Sequence, residues 1–265
     1  MENTEKFRYR KELNFVKILL KKAYKKCILD KQKLISVKQD KSFVTNIDLN
    51  TEKFIISKLR RKFHDTNFLT EETHMSTPLG DRTWVIDPID GTSFFVRNSA
   101  LYNIQVAFYD KGKTQFSIIY LPRFNEMYIA MNGFGAYLNG KRLHRNCNVP
   151  MKNCFVDFNN IPSRWTEEIR EKYKKLYNLQ EKGDYETPKF FSIDSSGIVF
   201  SMLANGTIDF LVEPADTKWD FMPGDLLVKE VGANYYNFDN ETYTRYYSFS
   251  QELDEYLGLT KQKNN

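Results

Sequence analysis

Two aspartates three residues apart, Asp87 and Asp90, stand in the segment Trp84-Val85-Ile86-Asp87-Pro88-Ile89-Asp90-Gly91-Thr92. Pro88 fixes φ and removes a donor, so the link between them does not continue a helix. A turn there presents both carboxylates and the Ile89 carbonyl toward one point. If a helix begins at Gly91-Thr92-Ser93, its free N–H groups face the same point. Anionic carboxylates beside anion-binding amides make chemical sense with divalent cations between them and a phosphate above. Magnesium is the natural ion, being hard, oxygen-loving and accustomed to completing its shell with water and substrate phosphate. Two such ions could activate a water and stabilise the leaving oxygen of an in-line displacement. By itself the pattern divides evenly between a turn with a helix cap and a site. Its company tips the balance: Glu71-Glu72 ends a strand upstream, and Trp219-Asp220 opens a helix downstream. Each alone is weak, since adjacent acids are usually a solvated edge and an aspartate at a helix start is usually a cap.

The elements that must position these residues follow from hydrophobic spacing. Leu13, Val16, Leu20, Tyr24 and Cys27 recur at helical intervals and predict an amphipathic first helix with a lysine-rich outer face. A second helix is predicted over 50–63, capped by Asn50 or Thr51, with Asp48 near its N-terminal end. Short apolar pieces at 67–70 and 83–86 read as strands ending on Glu71 and Asp87. The pieces 103–109 and 114–121 flank a hairpin turn at Asp110-Lys111-Gly112, 126–131 continues the meander, and Gly133, Gly135 and Gly140 mark a further reversal. Helices are predicted over 163–177, 195–203 (ended by Asn205-Gly206) and 219–231 (ended by Gly232), with a strand over 208–213 between the last two. A loop falls at Lys182-Gly183-Asp184, and the tail from Lys261 is polar. This order gives a layered α+β/α/β architecture.

Composition closes off other classes. The 265 residues suffice for a real core, and an aromatic share of 15% argues against disorder. Net charge is +5, with Lys17, Lys21, Lys22, Lys25, Lys26, Lys31 and Lys33 crowded near the N-terminus. That run reads as a nucleic-acid or membrane patch or as the solvated face of a helix. Cys27, Cys147 and Cys154 lack disulfide or zinc spacing and read as reduced thiols of a cytoplasmic protein. There is neither a signal-peptide apolar region nor an apolar run approaching a membrane span, so no membrane partner is expected. His64, His74 and His144 lack metal spacing, and no nucleophile elbow, dinucleotide fingerprint, P-loop or EF-hand loop occurs.

The segment 84–92 resembles the first signature of the inositol monophosphatase superfamily. Trp219-Asp220 with Glu230-Val231-Gly232-Ala233 is similar to its second, and Glu71-Glu72 and Val44-Thr45-Asn46-Ile47-Asp48 are similar to its intermediate motifs. The resemblance implies a layered αβαβα sandwich forming one phosphatase unit over 1–265. Its N-terminal half (about 1–150) would carry most metal ligands, and its C-terminal half (about 151–250) would supply Asp220 and substrate contacts. It implies a magnesium-dependent, lithium-sensitive, homodimeric phosphatase acting on a small phosphate ester, with inositol monophosphate as the default substrate. Glu71, Asp87 and the Ile89 carbonyl would hold one Mg2+, Asp87, Asp90 and Asp220 a second, and Glu71 a third. Thr92 with Asp48 would activate the water, the amides of Gly91 and Thr92 would bind phosphate, and Asp90, Ser195 and Glu213 would contact substrate. Arg97-Asn98 with Tyr102-Asn103-Ile104 resembles the branch that removes a 3′-phosphate from adenosine bisphosphate. Asp194-Ser195-Ser196-Gly197 with Val212-Glu213-Pro214 resembles the histidinol-phosphate branch. A role in RNA binding or regulation through the basic N-terminal helix is the alternative of a different class.

Overall fold

The computed structural model describes residues 7–39, 41–158, 164–181, 188–214, 217–237 and 244–260. The expected loop at 182–184 and the tail from Lys261 lie outside them. The chain builds two large sheets and three layers of helix. The N-terminal sheet runs in the order β3 (Asn67–Thr70), β4 (Thr83–Asp90), β5 (Asn103–Asp110), β6 (Lys113–Leu121), β7 (Glu126–Met131), β8 (Gly135–Leu138) and β9 (Lys141–Arg142). It is an antiparallel meander except for the parallel β3–β4 pair. At the β5–β6 hairpin both Lys111 (φ 52°) and Gly112 (φ 77°) take positive φ, the type I′ geometry that matches strand twist.

The second sheet has the order β11 (Lys189–Phe191), β10 (Phe155–Asp157), β12 (Phe210–Glu213), β14 (Arg245–Ser248) and β13 (Asn234–Tyr236). A small hairpin joins β1 (Ile35–Val37) to β2 (Phe43–Thr45). Helices α1 (Arg10–Ala23) and α2 (Asn46–Lys62) cover one face of the seven-stranded sheet, where Leu13, Val16, Leu20, Ile55 and Leu59 meet Trp84, Ile86, Ile104, Val106 and Phe108. Helices α5 (Ser196–Asn205) and α6 (Lys218–Val231) fill the space between the sheets with Phe200, Leu203, Leu227 and Val228. On the far face of the second sheet, Ile169 and Leu176 of α4 (Glu167–Glu181) and Leu253 and Leu257 of α7 (Gln251–Leu257) pack against Val156, Phe210 and Tyr246. The result is the αβαβα layering. With helices on both faces, β4 is buried along its whole length.

Several boundaries differ from the sequence reading. The second helix starts at Asn46, because Thr45 and not Asn50 or Thr51 caps it. The first helix passes into a π turn at Tyr24–Ile28 before Cys27. Helix α4 begins at Glu167, where the Thr166 hydroxyl takes the Ile169 amide at 3.3 Å, and β12 begins at Phe210. Strand β4 runs on through Pro88 to Asp90, with a register shift between Asp87 and Asp90: three steps along β4 oppose two along β5, from Gln105 to Asn103. This is a one-residue β-bulge, and it accommodates a proline inside a central strand.

Helices α5 and α6 touch at Gly224, where a Cβ would lie 2.0 Å from Phe200 Cδ2. Phe200 is fully buried and has little room to yield. Gly224→Ala is expected to lower stability by about 1–3 kcal/mol through overpacking. Urea unfolding measures it, and an unchanged midpoint would contradict the packing described.

Candidate active site

The bulge decides where the two aspartates point. Along an unbroken strand, residues three apart lie on opposite faces. The extra residue between Asp87 and Asp90 returns both side chains to one face, and carboxylate oxygens of Asp87, Asp90 and Asp220 lie within 4.8 Å of one another. The partner strand supports them in register. Asn103 Nδ2 donates to Asp90 Oδ2 at 2.5 Å, and Gln105 Nε2 approaches Asp87 Oδ2 at 3.5 Å. Asp90 also receives the Ser195 hydroxyl (2.8 Å) and the amides of Ser196 (3.2 Å) and Gly197 (2.7 Å), so the start of α5 is tied to the end of β4. Gly91 then turns the chain with φ 83°, where a Cβ would stand 2.8 Å from the Leu101 carbonyl. The short helix α3 (Thr92–Val96) starts immediately after it.

Asp220 comes from the first turn of α6, where Thr217 caps the site by donating its hydroxyl to the Asp220 carboxylate. Glu71 follows β3, which runs parallel to β4 and places Glu71 next to Asp87; its amide reaches the Ile86 carbonyl at 3.3 Å. The Glu71–Thr73 turn is held from α2 by buried Glu52, which accepts the Glu72 amide at 2.9 Å and the Thr73 hydroxyl. Lys38, just past β1, reaches across to Glu71 (2.9 Å) and Glu72 (2.8 Å).

The fourth part is a hydrogen-bonded chain. Asp48 is the third residue of α2 and its carboxylate closes a capping box: it accepts from the Thr45 amide at 2.9 Å and from the Thr45 hydroxyl. Its other oxygen accepts from Thr92 Oγ1 at 3.2 Å, and the same hydroxyl lies 2.9 Å from the Ile89 carbonyl oxygen.

The electrostatics follow from crowding. Burial pushes the carboxyls of Asp87 and Asp220 well above the usual range, and Glu71, Asp90 and each other's neighbourhood push them further. Burial also raises Asp90, against the pull of Ser195, Asn103 and Gly197. Asp48 is pushed up to about 6 by burial, despite its bonds from Thr45, and Glu72 up to about 7 by burial and by Glu71. Burial pulls Lys38 down, but Glu71 and Glu72 hold it above its ordinary value. So many acids raised together indicate a place built for added positive charge. The donors are carboxylates of Asp87, Asp90, Asp220 and Glu71 plus the Ile89 carbonyl, all oxygen, with no sulfur or imidazole in the cluster among the described residues. That set suits Mg2+ and could hold it.

These groups open on a cavity of about 610 Å³. Asp157, Asp194, Ser195, Glu213 and Trp219 line it as well, as do Lys38, Lys41 and Arg164. The cavity therefore brings together all the metal, phosphate, catalytic and substrate residues that the resemblance implies except Asp48, which meets it through Thr92. Ser195 is buried, with its hydroxyl on Asp90. Sequence reasoning missed Lys38, Glu52, Asn103, Gln105 and Thr217 as parts of the site. Only Asn103 and Gln105 left a signal, as polar residues in a strand that is otherwise apolar.

A model of the inositol monophosphatase family matches residues 1–258, and the chain belongs to that family. It is 28% identical over 222 residues to the fructose-1,6-bisphosphatase/inositol-1-monophosphatase of Thermotoga maritima, covering 80% of this chain and 79% of that one. It is 31% identical over 200 residues to the Nus factor SuhB of Salmonella typhimurium, covering 75% and 73%. The solved structure of a Thermotoga maritima IMPase superposes with a TM-score of 0.79 at 25% identity, covering 95% of this chain and 97% of that one.

Gly197 tests how the ligand set is held. A Cβ there would come within 2.4 Å of the Asn103 amide that supports Asp90. Gly197→Ala is expected to displace Asn103 and weaken Mg2+ binding by about 10- to 100-fold, as losses around metal ligands commonly do. Titration calorimetry with Mg2+ measures it, and wild-type affinity in the variant would contradict the support described.

Proposed function

We propose that this member of the inositol monophosphatase family is a Mg2+-dependent hydrolase of small phosphate monoesters, with inositol monophosphate as the default substrate. The observation that carries the reading is the convergence of Asp87, Asp90 and Asp220 beside the Asp48–Thr92 pair. Glu71, Asp87, Asp90, Asp220 and the Ile89 carbonyl would hold two or three ions. When bound, Mg2+ supplies Lewis-acid polarisation of the phosphoryl oxygens and lowers the pKa of water.

The chain's own groups do the rest. The amides of Gly91 and Thr92 orient the phosphate. Thr92 accepts a hydrogen bond from the attacking water as its own proton moves toward Asp48, whose carboxyl at about 6 suits a base near neutral pH. Water oxygen bonds to phosphorus as its proton passes to Thr92, the ester P–O bond breaks in line, and the departing alkoxide takes a proton from a solvent water to leave as alcohol. Asp90, Ser195 and Glu213 face the alcohol portion.

The rest of the cavity lining bears on substrate choice. Asp157, Asp194 and Glu213 are acceptors, so they favour an alcohol rich in hydroxyls or carrying an ammonium, as in inositol or histidinol phosphate. Arg97 and Asn98, the residues that resemble the bisphosphate-nucleotidase branch, are exposed at the end of α3 and do not line the cavity. The same reading expects lithium inhibition, a homodimer and a cytoplasmic location. No helix among the described residues is long and apolar enough to cross a membrane.

A phosphate-release assay over inositol, sugar, histidinol and adenosine phosphates, with Mg2+ or with chelator, tests the proposal. Asp87→Asn and Asp220→Asn are expected to abolish turnover. Thr92→Ala is expected to cut kcat by about 10²–10⁴, the range for loss of proton-transfer assistance. Full activity of Asp87→Asn, or turnover indifferent to Mg2+, would sink the reading.

A further inference from the structure

Charge is distributed unevenly along this chain. Residues 1–66 hold 18 of its 39 lysines and arginines but only 8 of its 34 acids, a net +10 where the whole carries +5 and the remainder −5. Twelve of those 18 basic residues lie on α1, the π turn after it and α2, together with three acids. Every acid of α1 and α2 is turned inward or partnered: Glu12 is half-buried near Arg82 (3.7 Å), Asp48 caps α2, and Glu52 holds the Glu72 amide. The two helices lie side by side, and Lys26 and Lys58 both stand over the one ring of Phe54, at 5.9 and 5.4 Å, so their lysines share one face. The apolar stripes of both helices are in the core, and Ile18 is the large apolar side chain of α1 that is exposed.

The geometry points to a nucleic-acid docking face on α1 and α2, fitted to the phosphate backbone of single-stranded RNA. Lys17 and Lys21 of α1 are four residues, about 6 Å, apart along the helix, and Lys25 follows in the π turn. That is close to two steps of a strand stacked at about 3.4 Å per phosphate. A single row of ammoniums tracks one strand, whereas a duplex groove calls for an element that enters it. Ile18 on α1 and Leu49 on α2 are the exposed large apolar side chains of these helices, too few to form the apolar stripe that seats a helix in a lipid headgroup layer. Arg61 and Lys62, at the end of α2, lie about 20 Å from Asp48 at its start. The face carries no array of groups for base edges, so binding is independent of sequence and governed by counterion release.

Fluorescence anisotropy of a labelled, mixed-sequence single-stranded RNA tests the assignment with the whole chain. Binding is expected at low salt, weakening on the order of 100-fold between about 50 and 200 mM salt for roughly five phosphate contacts. The combined variant Lys21→Glu, Lys22→Glu, Lys25→Glu and Lys26→Glu should lose at least about tenfold in affinity while keeping the wild-type circular dichroism spectrum and thermal midpoint. If that variant does not fold, the four lysine-to-glutamine replacements carry the test, with a smaller loss expected. Absence of RNA binding at low salt, affinity within about twofold of wild type in the folded variant, or binding to phosphatidylserine vesicles or duplex DNA in preference to the RNA would overturn it.

Discussion

One extra residue in a β-strand governs the site. Without the bulge between Asp87 and Asp90, the two carboxylates would project from opposite faces of β4, one of them into the apolar layer against α1 and α2. With it, both face α5 and α6, where Asp220 completes a group spanning 4.8 Å. The cost is like-charge repulsion in a buried place, visible in the upward push on Asp87 and Asp220. Much of the surrounding structure offsets that cost. Asn103 and Gln105 donate from the opposing strand, Thr217 donates to Asp220, and the beginning of α5 donates three times to Asp90.

The Asp90 cluster also couples distant parts of the chain. Strand β4 belongs to the seven-stranded sheet, while α5 leads into β12 of the other. Hydrogen bonds spanning more than 100 residues in sequence therefore converge on one carboxylate. Distortion at Asn103 or Gly197 would act on both the acid cluster and the seam between the sheets. On the opposite side, the Thr45–Asp48 capping box fixes the start of α2 and aims Asp48 at Thr92 in one arrangement. Local helix stability and the proposed proton path thus depend on the same carboxylate.

The acids were legible because few other purposes gather oxygen donors at strand and helix ends, and because their motifs match a known order. What stayed hidden depended on partners far away in sequence. Thr45, Asn46, Asn50 and Thr51 can all cap a helix, and the choice of Thr45 rests on Asp48 returning a bond to its amide. Pro88 looked like the end of a strand, since a bulge is a property of two strands in register. Lys38 stands in a polar stretch with nothing local to separate it from other surface lysines, and its value comes from Glu71 and Glu72 across the cavity mouth. Strands β1, β10, β11 and β13 have three residues each, too few to show alternation.

The acids form a candidate place for cations, in a cavity that Asp157, Asp194 and Glu213 also line. The cation claim comes first, because the proposed chemistry has no footing without it. Burial and like-charge neighbours push the carboxyls of Asp87 and Asp220 well above the usual range, and a bound cation pulls them back toward the ionised form with loss of any proton they carry. The direct measurement is calorimetric titration of chelator-treated protein with Mg2+ in buffers of different ionisation enthalpy. Saturable binding with net proton release is expected, and it should disappear in Asp87→Asn. Binding without proton release, or no binding by the folded protein, would contradict it.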